Sequence, residues 1–410
     1  MSPNTFGRPG SPLVDRPKLV DRRKFVAALA GSALAGPNLS GTVPAVASDR
    51  GDSLLGNLGC GVPAAGDVPA YSVVPVVGDG KWIWNEPPRE GRGVLEPRRF
   101  RLRVGVEITA RGPTVDIVSS TPVPSPFPEQ LIDAERIITD GGALAEFDAI
   151  SDSARRLVVT HEKLSKGQTA SAVAEIDLTL YKQYFGFRRE QFPERQVPQF
   201  AIRTAYLGDS PGIQTRIVDV VERARSLRAA LTHPWDWAEA FADWVSRNIS
   251  PRIGVYTSVT KAMETRVGDC EEMAGVFVAL CRASGVPARL VWVPNHVWSE
   301  FYLVDAQGTG HWIPVHTACY SWFGWTGAHE MVLQKGDRLR VPGYGTLVRL
   351  QQDRTRALGS RPDVQYIAEL TPLPPADDDK ADPGPGARRK MPTGEWVIAG
   401  EHPADRYLRR

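Results

Sequence analysis

The sequence predicts an α+β protein in which an antiparallel, sandwich-like β-domain precedes a mixed core of helices and strands. Three observations predict it. Residues 96–185 carry runs of period two, with prolines that exclude helix between them. After Phe200 the apolar spacing becomes helical. A helix apolar on nearly every side then spans 271–284, and strand-like runs follow it.

The N-terminus reads as an address. Asp21-Arg22-Arg23-Lys24 stands before an apolar run from Phe25 to Gly36, and Ala45-Val46-Ala47 is a small-residue cleavage site. Basic, apolar and A-x-A segments in that order describe an export signal over 1–47, and the arginine pair points to the twin-arginine route. The expected mature chain begins near Ser48 and works in the periplasm or outside the cell. Residues 48–95 are rich in Gly, Pro and Val and show no long periodicity.

The β-domain, 96–200, opens with Phe100, Leu102, Val104, Val106 and Ile108 alternating with mostly polar residues. That pattern gives one buried and one wet face. Val115–Ser119, Leu157–Thr160 and Ala172–Leu180 read as further strands. In the core, 205–345, Asp209-Ser210-Pro211 is a helix start, with the helix running to about Leu231. Trp237, Phe241, Trp244, Val245 and Ile249 place a second helix over 235–248. The third, Glu271–Ser284, ends at Gly285 with Pro287 beyond. Ala288–Val293, His296–Val304 and Trp312–Val315 read as strands. Residues 346–372 are expected to extend the core, and 373–410 to form a disordered tail.

Composition excludes several functions. Of 410 residues 42% are hydrophobic and 23% charged, and the net charge is +2. No basic stripe interleaved with aromatics appears, so nucleic acid is not an expected partner. No apolar run approaches the roughly 20 residues of a membrane span. The four cysteines, Cys60, Cys270, Cys281 and Cys319, fit no disulfide framework.

Chemistry concentrates at Cys270. It begins a buried helix, where unpaired backbone N–H groups and the helix dipole favour a thiolate. Asp269, Glu271 and Glu272 oppose that effect, so a histidine partner has to supply positive charge and move the proton. Cys281, eleven residues on, shares the face of Cys270 but lies inside the helix and shows what a packed cysteine looks like. His296 is the first histidine after Cys270 and opens a strand, with Trp298, Glu300 and Tyr302 on its face.

These residues carry a resemblance. Gly268-Asp269-Cys270-Glu271-Glu272, the run Ala279–Val291, Asn295-His296-Val297-Trp298-Ser299-Glu300 and Trp312-Ile313-Pro314-Val315 together look like the transglutaminase-like superfamily. The Lys81–Pro88 and Leu333–Arg338 segments resemble exported members from planctomycete-like bacteria. The resemblance implies a papain-like core, with cysteine on the central helix facing histidine and an acidic residue on adjacent strands. Its members cleave peptide or amide bonds, transfer acyl groups to amines, or have lost activity.

One position departs from the family. Where it places aspartate, directly after the Trp-x-Pro-Val strand, this chain has His316. Glu300 is four residues from His296, roughly 13 Å along a strand, too far to substitute. His316 therefore either orients His296 as a neutral hydrogen-bond acceptor or orients nothing, which leaves a degenerate site. A Cys270–His296–His316 zinc site, with Cys319 or water as fourth ligand, has suitable donors but no compact zinc spacing. Tyr256 and Gln214 are candidate oxyanion donors beside the Cys270 N–H, and Ser321–Gly327 is a candidate groove loop.

The expected activity is a cysteine hydrolase or acyltransferase on peptide or amide bonds. Cys270, His296 and His316 are its catalytic set, a peptide or protein its substrate, and no cofactor is required. The alternative is a non-catalytic papain-fold module that binds peptide or supports envelope assembly.

Overall fold

The computed structural model describes residues 93–252, 256–318 and 322–374, and the backbone of strands at 388–390 and 396–398. The export signal, Cys60, Lys81–Pro88, Cys319, Ser321 and most of the expected tail lie outside the described residues.

Six strands come first: β1 (Gly93–Thr109), β2 (Thr114–Val123), β3 (Gln130–Asp140), β4 (Leu144–Ser151), β5 (Ala154–Leu164) and β6 (Thr169–Tyr184). The helices α1 (Phe200–Tyr206), α2 (Val218–Leu227), α3 (Pro234–Asn248), α4 (Val259–Thr265) and α5 (Cys270–Ala283) follow. Short strands β7 (Ser250–Pro251) and β8 (Val267–Gly268) lie among them. After α5 come β9 (Ala288–Val293), β10 (His296–Val304), β11 (Gly310–Val315), β12 (Trp325–Thr326), β13 (Gln334–Lys335), β14 (Arg354–Gly359) and β15 (Asp363–Pro372). A hairpin of β16 (Arg388–Lys390) and β17 (Trp396–Ile398) falls where the tail was expected.

The fold is α+β, with antiparallel pairing in both large sheets. One sheet runs β12-β6-β1-β15, with β3 also on β6. The other runs β11-β10-β9-β13-β5-β2-β14, with β4 also on β5. The alternation in β1 and β6 is the physical cause of the first core. Phe100, Leu102, Val104, Val106, Ile176, Leu178 and Leu180 point inward and meet Leu157 and Val159 of the facing sheet.

The second sheet passes from this sandwich into the helical half without a break. β13 makes the join, where Gln334 pairs with Ala154 of β5 and with Trp292 of β9. On the helical side α5 packs against β9 and β10 and is covered by α2, α3 and α4. Every residue from Cys270 to Arg282 is buried, as an all-round apolar helix requires. Phe241, Val245, Phe277, Phe301 and Ile313 fill the space between helices and sheet.

Two expectations are corrected, and two strands are added. The helix expected from Asp209 to Leu231 is only Val218–Leu227. Asp209 caps its own loop instead, accepting from the Thr215 backbone N–H at 2.9 Å and from its hydroxyl. Residues 354–372 belong to the sandwich rather than to the core, since β14 pairs with β2 and β15 with β1. The strands β3 and β4, unseen in the sequence, pair with β6 and β5. Among the described residues no helix is long and apolar enough to cross a membrane.

Candidate active site

Asp269 fixes the start of α5. Its carboxylate accepts from the Glu271 N–H at 2.8 Å, while Glu272 Oε2 accepts from the Asp269 N–H at 2.9 Å. This reciprocal capping box satisfies donors of the first turn. Gly268 is required beside it, because a Cβ there would lie 2.5 Å from Glu272 Cβ and block the fold-back. Cys270, only 2% exposed, is therefore the first helical residue of a capped and buried helix.

The acidic residues around Cys270 are partly compensated. Glu271 pairs with Arg349, whose guanidinium lies 3.5 Å from the centre of the Tyr256 ring. Glu272 Oε1 accepts from the Thr257 N–H at 2.6 Å. Burial, with the neighbouring Glu272 and Glu271 charges, pushes the Asp269 carboxyl up to about 8. The opposition to a thiolate expected from these three side chains is thus weaker than their formal charge suggests. Cys281 is fully buried, and burial holds its thiol well above the ordinary range, as suits a packing residue.

His296 owes its place to a tight hairpin. Pro294 and Asn295 connect β9 to β10, Asn295 has φ 64°, and Val293 pairs with His296. Proline followed by a positive-φ asparagine suits a two-residue turn. Strand β10 and helix α5 run in the same direction. Ser299 Oγ donates to the Ala274 carbonyl at 3.3 Å, and further along Phe277 meets Phe301 edge-on at 6.3 Å. Cys270 and His296, the first residues of their elements, therefore lie toward the same end of this layer.

His316 follows β11 and is fully buried. Its N–H donates to the Trp322 carbonyl at 2.9 Å. The ring stacks on Trp298 at 4.9 Å and meets the edge of Trp322 at 5.0 Å. It also stacks with His296, ring centres 5.6 Å apart and planes 25° from parallel. Burial, helped by the nearby His296, holds His316 well below the ordinary histidine range, so it is neutral at physiological pH.

Glu330 was missed in the sequence. Its Oε2 lies 3.8 Å from His316 Nε2. Burial pushes its carboxyl up to about 8, against the pull of the Trp298 indole. Flanked by His329 and Met331 in a stretch without periodicity, it offered no motif to find. His296, His316 and Glu330 each offer one donor atom, and these atoms lie within 4.8 Å of one another. Among the described residues this trio is the group suited to a metal ion, and Cys319 lies outside them.

Other polar and aromatic side chains of the core have structural work. Glu300 pairs with Arg289 and Lys335. Asp305 pairs with His311 at 2.8 Å. The Tyr256 hydroxyl already donates to the Gly212 carbonyl at 3.0 Å, and Gln214 Oε1 accepts from Thr260. Trp298 and Trp322 wall His316, whereas Trp312 stacks under Arg289 at 3.9 Å.

A helix–sheet core with a cysteine starting its buried central helix defines an α+β fold of the papain-like type. More particularly, the family model of the transglutaminase-like superfamily matches residues 221–317, and that segment is a transglutaminase-like domain. The peptide-N(4)-(N-acetyl-beta-glucosaminyl)asparagine amidase of Yarrowia lipolytica is 37% identical over 76 residues, 18% of this chain and 20% of its own. The human protein of the same name is 44% identical over 59 residues, 14% of this chain and 9% of its own. The chain thus spans a fifth or less of the length of these relatives. A candidate cysteine protease from Cytophaga hutchinsonii has a solved structure that aligns with TM-score 0.44 and 16% identity, covering 68% of this chain and 99% of its own. Over that stretch the domain is similar to these asparagine amidases.

Proposed function

We propose that this protein is a cysteine-nucleophile hydrolase or acyltransferase acting on an amide carbonyl of a peptide or protein. The observation carrying this reading is Cys270 as the first residue of a capped, buried helix that runs alongside the strand begun by His296. The Cys270 sulfur attacks the carbonyl carbon as its proton passes to His296. The C–N bond breaks, His296 returns the proton to the departing amine, and an acyl thioester remains on Cys270. Water or a second amine then attacks the thioester, yields a proton through His296, and restores the thiol. The backbone N–H of Cys270 is suited to the developing oxyanion. His316 is the residue closest to the family's third position, and we assign it the orienting of the His296 ring. The amidase names of its relatives support an amide as the bond attacked.

A second reading, a binding module with a degenerate site, is favoured by the neutral His316 where a carboxylate would stabilise imidazolium. Alkylation by iodoacetamide as a function of pH separates the two. Catalytic chemistry expects Cys270 to react fast near neutral pH, well below the ordinary thiol value of about 8.5, and to lose that reactivity in His296→Ala. An ordinary thiol profile unaffected by His296→Ala would leave only the binding module.

A further inference from the structure

We propose that His296, His316 and Glu330 form a binding site for a divalent transition-metal ion of the zinc type, and that its occupation withdraws His296 from Cys270. The site stands on its own geometry, while its inhibitory consequence rests on the cysteine-enzyme reading above. The three donor atoms lie within 4.8 Å of one another, and the His316–Glu330 pair is 3.8 Å apart. Around a tetrahedral zinc at about 2.0–2.1 Å, ligand atoms stand roughly 3.4 Å apart. Each side chain has to move inward by less than about 1 Å, within the reach of small χ rotations. The donors converge from three separate segments: the start of β10, the residue after β11, and the loop before β13.

The chemistry of the set selects the metal. Two imidazole nitrogens and one carboxylate oxygen suit zinc, cobalt or nickel, whereas calcium and magnesium prefer oxygen throughout. The donors are also shielded from water. His316 is fully buried, His296 is 7% exposed, and Glu330 Oε2 is buried. Trp298 and Trp322 pack against the His316 ring and restrict its rotation. Three protein ligands leave a fourth position open to water or to a thiolate. His296 cannot take the Cys270 proton through a ring nitrogen whose lone pair binds metal, so the ion and the thiol chemistry compete for one residue.

Cobalt(II) and zinc(II) are the probes, applied to the full chain after chelator treatment. One Co2+ per chain should bind, giving the visible d–d absorption of a four- or five-coordinate site. Cys270→Ala should retain it, because the thiol is not one of the three ligands. Glu330→Gln, and as a second variant His316→Gln, should weaken binding by at least about 100-fold, more than loss of an outer-sphere partner costs. In parallel, Zn2+ should slow alkylation of Cys270, and that protection should vanish in Glu330→Gln. Absence of a Co2+ band in the wild type, its loss in Cys270→Ala, or undiminished binding in both folded ligand variants overturns the site. Co2+ binding without zinc protection of Cys270 overturns the inhibitory role. A thiol that is fast and dependent on His296 in metal-free protein with no metal binding sinks this inference and leaves the proposed function standing. An ordinary thiol profile with an intact metal band does the reverse.

Discussion

Asp269 shows how one buried carboxyl bears on both a helix and the cysteine beside it. It is fully buried, caps α5 through the Glu271 N–H, and sits against Glu271 and Glu272. Its ordinary pKa of 3.8 is pushed up to about 8 by burial first and by those neighbours second. The sign of the linkage follows. Between these two values the unfolded chain has lost this proton and the folded chain keeps it, so raising pH favours unfolding. Stability from this group is complete below about pH 4 and is lost as pH rises through about 8. Asp269→Asn keeps an oxygen for the Glu271 N–H and removes the titration. Thermal midpoints measured from about pH 5 to about pH 9 should fall less steeply in this variant than in the wild type. Parallel curves would show that Asp269 is not the source. At this scale the sequence was informative where a residue sits in a motif. Cys270 and His296 announce themselves by their neighbours, and His316 by its distance from Trp312. Glu330 does not, because only the loop that folds it against His316 brings it to this cluster.

Elements were legible where their periodicity reports burial. The alternation at Phe100–Ile108 and Ala172–Leu180 lies within β1 and β6, and the all-apolar run at 271–284 matches α5. Strands β3 and β4 were hidden because most of their residues are exposed or half-buried, so no clean alternation survives. Strands β14 and β15 were assigned to the wrong half because their partners, β2 and β1, lie more than 200 residues earlier. Local pattern carries no information about so distant a partner. The buried charges of the Leu333–Arg338 segment are legible only in the structure. Lys335 Nζ lies 2.7 Å from both Glu129 and Glu300, and Glu300 also takes Arg289 at 2.6 Å. Burial drives the Glu300 carboxyl upward, but Arg289 and Lys335 together outweigh it and hold it below the usual range. Lys335→Met strips two interior carboxylates of a shared cation. Breaking a buried pair this way costs about 3–5 kcal/mol. A urea titration should show a lower midpoint of matching size with an unchanged slope, and a loss below about 1 kcal/mol would contradict this account of the network.

At the scale of the whole molecule, the sandwich and the transglutaminase-like domain share one sheet, and this makes their folding inseparable. β13 carries the hydrogen bonding from β5 to β9. The Gln334 side chain reinforces the join by donating to the Gly336 and Arg349 carbonyls, at 2.8 and 2.7 Å, and by accepting from the Gln351 N–H. Arg349 in turn holds Glu271, next to Cys270. The segment that leaves the core toward β14 and the segment that caps Cys270 are therefore in contact through one guanidinium. A chain cut to 186–353 keeps the helices and β9–β11 but loses β5, the Glu129 partner of Lys335 and the strands that β14 and β15 cover. It exposes a sheet edge and leaves a buried lysine half compensated, both strongly unfavourable. Such a fragment should be unfolded or aggregated, whereas the chain from 93 to 374 should melt in a single transition that near- and far-UV circular dichroism report at the same temperature. A fragment that melts cooperatively within a few degrees of the longer chain would show that the continuous sheet joins two independently stable units.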